Sequence, residues 1–132
     1  MSIKKILILF VMCLGSIVYA NNAFAKIPDE IFKAIENANI DELSKYLNSS
    51  VELVILDKDD VCSKQQSILI LKNFFMKNKI KSFSIVHQGG KEEAQYAICK
   101  MEDTNGNNFR IYFLVKSSEN KLLIHQFRIE EQ

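Results

Sequence analysis

AQYAICKMEDTNGNNFRIYFLVK, residues 94–116, carries the strongest hairpin signal in the chain. Asn105-Gly106 lies between two runs of β-forming residues. A two-residue hairpin turn needs positive φ at both central positions, which Asn-Gly tolerates. With that pair as the turn centre, Glu102 stands opposite Phe109, Lys100 opposite Ile111, Ile98 opposite Phe113 and Tyr96 opposite Val115. The hairpin then has one mostly apolar face, broken by Lys100 and Glu102, which read as a charged rim.

Working outward, Gly89-Gly90 separates SFSIVHQ from EAQYAIC and reads as a break between two strands, with Phe83, Ile85 and His87 on the face of Tyr96 and Ile98. On the other side, SSENK reads as a turn. Pairing Val115 with Leu123 sets Leu123, His125, Phe127 and Ile129 beside Phe109, Ile111 and Phe113, and leaves Ile124, Gln126 and Arg128 with Arg110, Tyr112 and Leu114. A slip of one residue would send every side chain to the opposite face. Residues 81–130 are thus expected to form a four-stranded antiparallel meander with a Phe- and Ile-rich inner face and an outer face carrying two arginines.

The first 25 residues differ from the rest. Lys4 and Lys5 precede a charge-free apolar run, residues 6–20, and Ala23-Phe24-Ala25 follows. A basic head, an apolar centre and an A-x-A site form the pattern of a secretory leader cleaved before Lys26. The run is shorter than the ~20 residues that a membrane span needs. The expected layout is a leader over residues 1–25 and one domain over residues 26–132, exported to the periplasm or beyond. Removing Lys4 and Lys5 with the leader leaves 15 basic against 16 acidic residues, a net charge of −1. That balance points to neither a nucleic-acid partner nor, for the mature chain, a membrane surface. Cys62 and Cys99 remain. They read as free buried thiols, not bonded to each other, since the meander's register puts Cys99 on the outer face of the sheet.

Between leader and meander, Pro28-Asp29-Glu30 opens a helix with Ile27, Ile31, Phe32 and Ile35 at helical spacing. Asn39 and Glu42 open a second, with Ile40, Leu43 and Leu47 as its stripe, ended by Asn48-Ser49-Ser50. VELVIL, residues 51–56, reads as a buried strand, closed by an acidic turn at residues 57–60. Ser63 and Gln66 form a capping box, opening a helix to about Lys79 with apolar residues all round its axis, so burial on more than one side is expected. The order is α-α-β-α-β-β-β-β, an α+β class.

VELVILDK, CSKQQ, LKNFF, KSFSIVHQGGKEEAQYAI, FRIYFLVK and IHQFRIE, in that order, resemble a bacterial family of small exported proteins of unknown function. That family lies in the nuclear transport factor 2-like superfamily. The resemblance covers essentially the whole mature chain and implies a cone-shaped fold, three N-terminal helices on a curved antiparallel sheet, with a pocket between sheet and helices. Members of the superfamily use that pocket for catalysis or binding, and many dimerise. The family brings no catalytic residues with it, and fold alone does not choose a function.

The residues offer few candidates of their own. His87 and His125 both fall on the expected inner face, too far apart to share a metal. Asp57 and Asp59 open a calcium-loop pattern that fails at Val61, Cys62 and Ile68. No metal or other cofactor is expected. The first reading is a non-catalytic binding module for a small apolar ligand or a protein partner, in a pocket lined by Tyr96, Phe113, His125 and Phe127. One alternative is a small isomerase or dehydratase with His125 as base and Tyr96 as hydrogen-bond donor, which needs the base within ~3 Å of its proton. Another is a homodimer through the outer sheet face, with the pocket filled by side chains.

Overall fold

The computed structural model describes residues 26–132. The expected leader, residues 1–25, lies outside them. Helix α1 (Asp29–Glu36) follows Pro28, carries Asp29 and Glu30 in its first turn, and buries Ile31, Phe32, Ala34 and Ile35. Acidic groups there face the positive end of the helix dipole. The chain reverses at Ala38, in the left-handed region at φ 51°. It then enters the short α2 (Ile40–Ser44), where Asn39 Oδ1 accepts from Glu42 N at 3.2 Å. Leu47 is no part of that helix. It begins strand β1 (Leu47–Ile55) beside Ile124.

The acidic segment expected as a turn is mostly strand: β2 (Lys58–Ser63) folds back on β1, setting Asp60 against Leu53 and Cys62 against Val51. Helix α3 (Lys64–Lys77) begins with both halves of the capping box, Gln66 N donating to Ser63 Oγ at 3.2 Å and Ser63 N to Gln66 Oε1 at 3.1 Å. It buries Ser67, Leu71, Phe74 and Phe75 but exposes Leu69, Ile70 and Met76, so it is covered on one side only. Strands β3 (Ile80–Lys91), β4 (Ala94–Asp103), β5 (Asn108–Ser118) and β6 (Lys121–Glu131) form the meander. The observed order is therefore α-α-β-β-α-β-β-β-β, still α+β, with the third helix after two strands instead of one.

The six strands lie in the order β2-β1-β6-β5-β4-β3. β6 runs parallel to β1, so the sheet is mixed where an antiparallel one was expected. Bulges interrupt the β1–β6, β3–β4 and β5–β6 pairings, the device by which a sheet bends over its core. On the covered face Phe113 meets Phe32 at 5.5 Å and Phe127 at 6.1 Å between ring centroids, and Phe74 meets Phe109 edge-on at 5.3 Å. No helix among the described residues is long and apolar enough to cross a membrane.

The central hairpin is one residue out of the expected register. Met101, not Glu102, stands opposite Phe109; Cys99 faces Ile111 and Ala97 faces Phe113. The turn is three residues, Thr104-Asn105-Gly106, and only Gly106 has positive φ, 83°. Asp103 N donates to Asn107 O at 2.9 Å and Gly106 N to Asp103 O at 3.1 Å. This is a type I turn with a following glycine, and Asp at its first position is its signature. The Asp103 carboxylate holds it by accepting from Asn105 N at 3.0 Å and, at 2.8 and 3.1 Å, from the main chain and side chain of Asn107. Burial pushes that carboxyl up, and these bonds outweigh burial, leaving it below its ordinary value. Ala97, Cys99 and Met101 therefore fill the core, while Tyr96, Ile98 and Lys100 go to the outer face.

The other two turns differ as well. β3 runs through Gly89 and Gly90, and the chain turns at Glu92-Glu93. Gly89 sits under Tyr96, whose hydroxyl would lie 2.7 Å from a Cβ there. A bulge between Ile85 and His87 splits the expected row: Phe83 and Ile85 pair with the core residues Met101 and Cys99, whereas His87 pairs with Ile98. The two-residue turn with positive φ at both positions is Glu119-Asn120, at 49° and 64°. From it Phe113 pairs with Phe127 and Ile111 with Ile129, two residues from the expected register and so on the expected face. Beyond the bulge next to Val115 the parity changes. Ile124 is buried opposite Val115, and Leu123 pairs with Lys116.

Candidate functional site

The four residues expected to line one pocket are not gathered around a cavity. Phe113 and Phe127 are fully buried, their rings nearly parallel at 10°, and with Phe32 they fill the space between α1 and the sheet. Tyr96 is on the outer face. Its hydroxyl shares a hydrogen bond with His87 Nε2 at 3.1 Å and its ring stacks on Tyr112 at 6.0 Å. His125 is the extra residue of the β5–β6 bulge and is half-buried. Its Nε2 is closed to solvent and has no hydrogen-bond partner. Burial, helped by the charge of Lys116, lowers the imidazole below its ordinary value. Tyr96 and His125 are on strands separated by β5, about 10 Å at two strand spacings. They do not form a base and donor acting on one substrate atom.

The thiols are placed for packing. Cys62 and Cys99 are both free and buried. Both lie on the covered side of the sheet, against the expectation for Cys99, but four strand spacings separate β2 from β4, on the order of 19 Å. That distance precludes a bridge. Burial pushes the Cys99 thiol up to about 12, and burial with the nearby Asp60 raises that of Cys62. Neither is an activated nucleophile. Lys100 stands across from Arg110 on the outer face, and Glu102 meets Lys81 at 3.8 Å. Among the described residues no three His, Cys, Asp or Glu converge as metal ligands.

The open space is elsewhere, between α3 and the β1–β2 hairpin, as a cleft of about 1060 Å³. Leu53, Cys62 and Phe74 form its buried floor, with Ile55 half-buried beside them. Leu56, Leu69 and Ile70 stand at its rim, 41%, 68% and 39% exposed. Asp57, Lys58, Asp59 and Asp60 supply the polar wall on one side, and Asn73, Lys77 and Asn78 on the other. Leu56 is in the left-handed region at φ 55°, held by donation of its N–H to Ile129 O at 2.8 Å. A leucine there is strained by about 1–2 kcal/mol relative to an ordinary backbone. Sequence reasoning missed this cleft because it read residues 57–60 as a turn and expected α3 to be buried on more than one side.

The arrangement of helices over one face of a bent six-stranded sheet has likenesses of fold among solved structures. An NTF2-like protein of unknown function from Shewanella baltica, 13% identical, matches over 100% of this chain and 98% of its own with a TM-score of 0.61, a likeness of fold. Residues 28–130 match the family described as Domain of unknown function (DUF4783), and the chain belongs to that family. A DUF4783 protein of Bacteroides ovatus is 36% identical with a TM-score of 0.76, covering 80% of this chain and 96% of its own. One from Bacteroides fragilis is 33% identical with a TM-score of 0.76, covering 81% of this chain and 100% of its own. No curated protein matches.

Proposed function

We propose that the protein is a binding module that takes a small apolar ligand into the cleft between α3 and the β1–β2 hairpin, and that it works after export. The observation that carries this reading is the rim. Leu56, Leu69 and Ile70 offer apolar surface to solvent around a cavity with an apolar floor, and one of the three does so from a strained backbone. Exposed apolar residues are ordinary when scattered and informative when they ring a pocket of ligand size. Strain of this kind persists where surrounding structure holds it and concentrates at binding sites. The raised thiol of Cys62 favours binding over covalent chemistry, because the thiol form is a poor nucleophile.

Titration with a fluorescent fatty-acid analogue tests the reading. Saturable binding is expected, and Leu69→Asp should weaken it by about tenfold or more, because a carboxylate at the rim opposes an apolar ligand. Leu69 is 68% exposed, so the variant should melt as the wild type does. Unchanged affinity in a folded Leu69→Asp protein would overturn the proposal. Export rests on the leader pattern, and an exported form whose intact mass begins at Lys26 is its expected signature.

A further inference from the structure

The opposite face of the sheet carries a second cluster, independent of the cleft. Arg110, Tyr112, Gln126, Arg128 and Glu130 line a groove of about 300 Å³ there. The ladder puts Tyr112 directly across from Arg128, and Arg110 between Glu130 on one side and Lys100 on the other. Like charges directly opposite in a sheet repel. Among the described residues Arg110 has no ion-pair partner to offset Lys100. Arg128 Nη1 meets Glu130 Oε1 at 3.4 Å, whereas its Nε is shut from solvent with no hydrogen-bond partner. With Nη1 engaged, the edge that remains is Nε and Nη2, two parallel N–H groups whose spacing matches the oxygens of a carboxylate. A buried N–H without a partner costs stability, and the Arg128 side chain, 39% exposed, can turn to bring that edge to an acid in the groove.

Charge and shape narrow the ligand. Arg110 and Arg128 against Glu130 leave the lining at +1, with Lys100 beside Arg110, which suits an anion, and Glu130 opposes a second negative charge more than a first. Beside the groove, Tyr112 stacks on Tyr96 with an interplanar angle of 28°, and the Tyr96 hydroxyl is tied to His87. The two rings make a fixed aromatic surface next to the arginines. We propose that this groove binds a monocarboxylate on a flat aromatic body, the acid held by Arg128 and Arg110 and the ring laid against Tyr112.

Amide NMR spectra recorded during titration with benzoate test this, with acetate and inorganic phosphate as comparisons. Saturable shifts at Tyr112, Gln126 and Arg128 are expected with benzoate, and weaker binding with the other two. Arg128→Lys keeps the charge and removes the fork, and should weaken benzoate by about tenfold or more, the loss of one charge-assisted hydrogen bond. Tyr112→Leu keeps every charge and should cost benzoate more than acetate. The proposal fails if benzoate gives no saturable shift, if its shifts map to Leu69 and Ile70, if phosphate binds as tightly, or if folded Arg128→Lys binds like the wild type.

Discussion

The two sides of the covered sheet face are made from the same materials and end differently. Under α1 the rings of Phe32, Phe113 and Phe127 interlock and leave no room, whereas under α3 the hairpin β1–β2 stands off and a cleft remains. The difference lies in how each helix spends its apolar residues. α1 is polar outside and buries Ile31, Phe32, Ala34 and Ile35 together. α3 is apolar on several faces but buries Leu71, Phe74 and Phe75 and turns Leu69 and Ile70 to the cleft mouth. The filled side supplies stability, and the side left open keeps the exposed apolar rim on which the proposed binding rests.

The largest expected effect breaks the filled side. Phe113→Ala removes a fully buried ring packed between two others and should cost about 3–5 kcal/mol in denaturant unfolding. A loss under about 1 kcal/mol would mean that the aromatic stack is not the structural centre. Leu56→Asn sharpens the open side. Losing the part-buried leucine costs about 1 kcal/mol, and relieving its left-handed backbone returns about as much, since Asn tolerates that region. Stability should stay within about 0.5 kcal/mol of wild type while affinity for the fatty-acid analogue falls severalfold. A drop of about 2 kcal/mol would make Leu56 a structural residue and remove it from the rim.

How much of this was legible follows the same division. The helix starts were, because caps are local: Asn39 with Glu42, and Ser63 with Gln66, act within three residues of themselves. The core residues Phe109, Ile111, Phe113 and Phe127 were legible through alternation. The register of the central hairpin was not, because Asn105-Gly106 fits two turns, and what chooses between them is the Asp103 side chain reaching Asn105 and Asn107. One residue of slip then exchanged Tyr96 and Ile98 for Ala97 and Cys99. Strand β2 gave no signal either. As an edge strand paired on one side it buries Cys62 alone, so KDDVCS lacks the alternation that marks a half-buried strand. The cleft depends on that strand, and the sequence could not announce it. The outer face was legible in part: Arg110, Tyr112, Gln126 and Arg128 lie on it as expected, without any hint that they share a groove.

The smallest expected effect belongs to His125, at the seam where β6 changes parity. Its Nε2 is buried without a partner, and burial with Lys116 nearby holds its folded pKa below the ordinary 6.5. The unfolded chain then binds more protons than the folded one in the window just below pH 6.5. Stability from the neutral ring is complete above that value and falls as pH drops toward the lowered folded value. His125→Leu removes the proton linkage and a buried nitrogen that nothing satisfies. The variant should be as stable as wild type or slightly more so at pH 7, because an apolar side chain of similar size needs no partner. Its advantage should widen as pH is lowered through that window, as read from melting curves of the two proteins side by side. If His125→Leu is instead clearly less stable at pH 7, the imidazole has a partner that holds the bulge, and the change of parity in β6 depends on it.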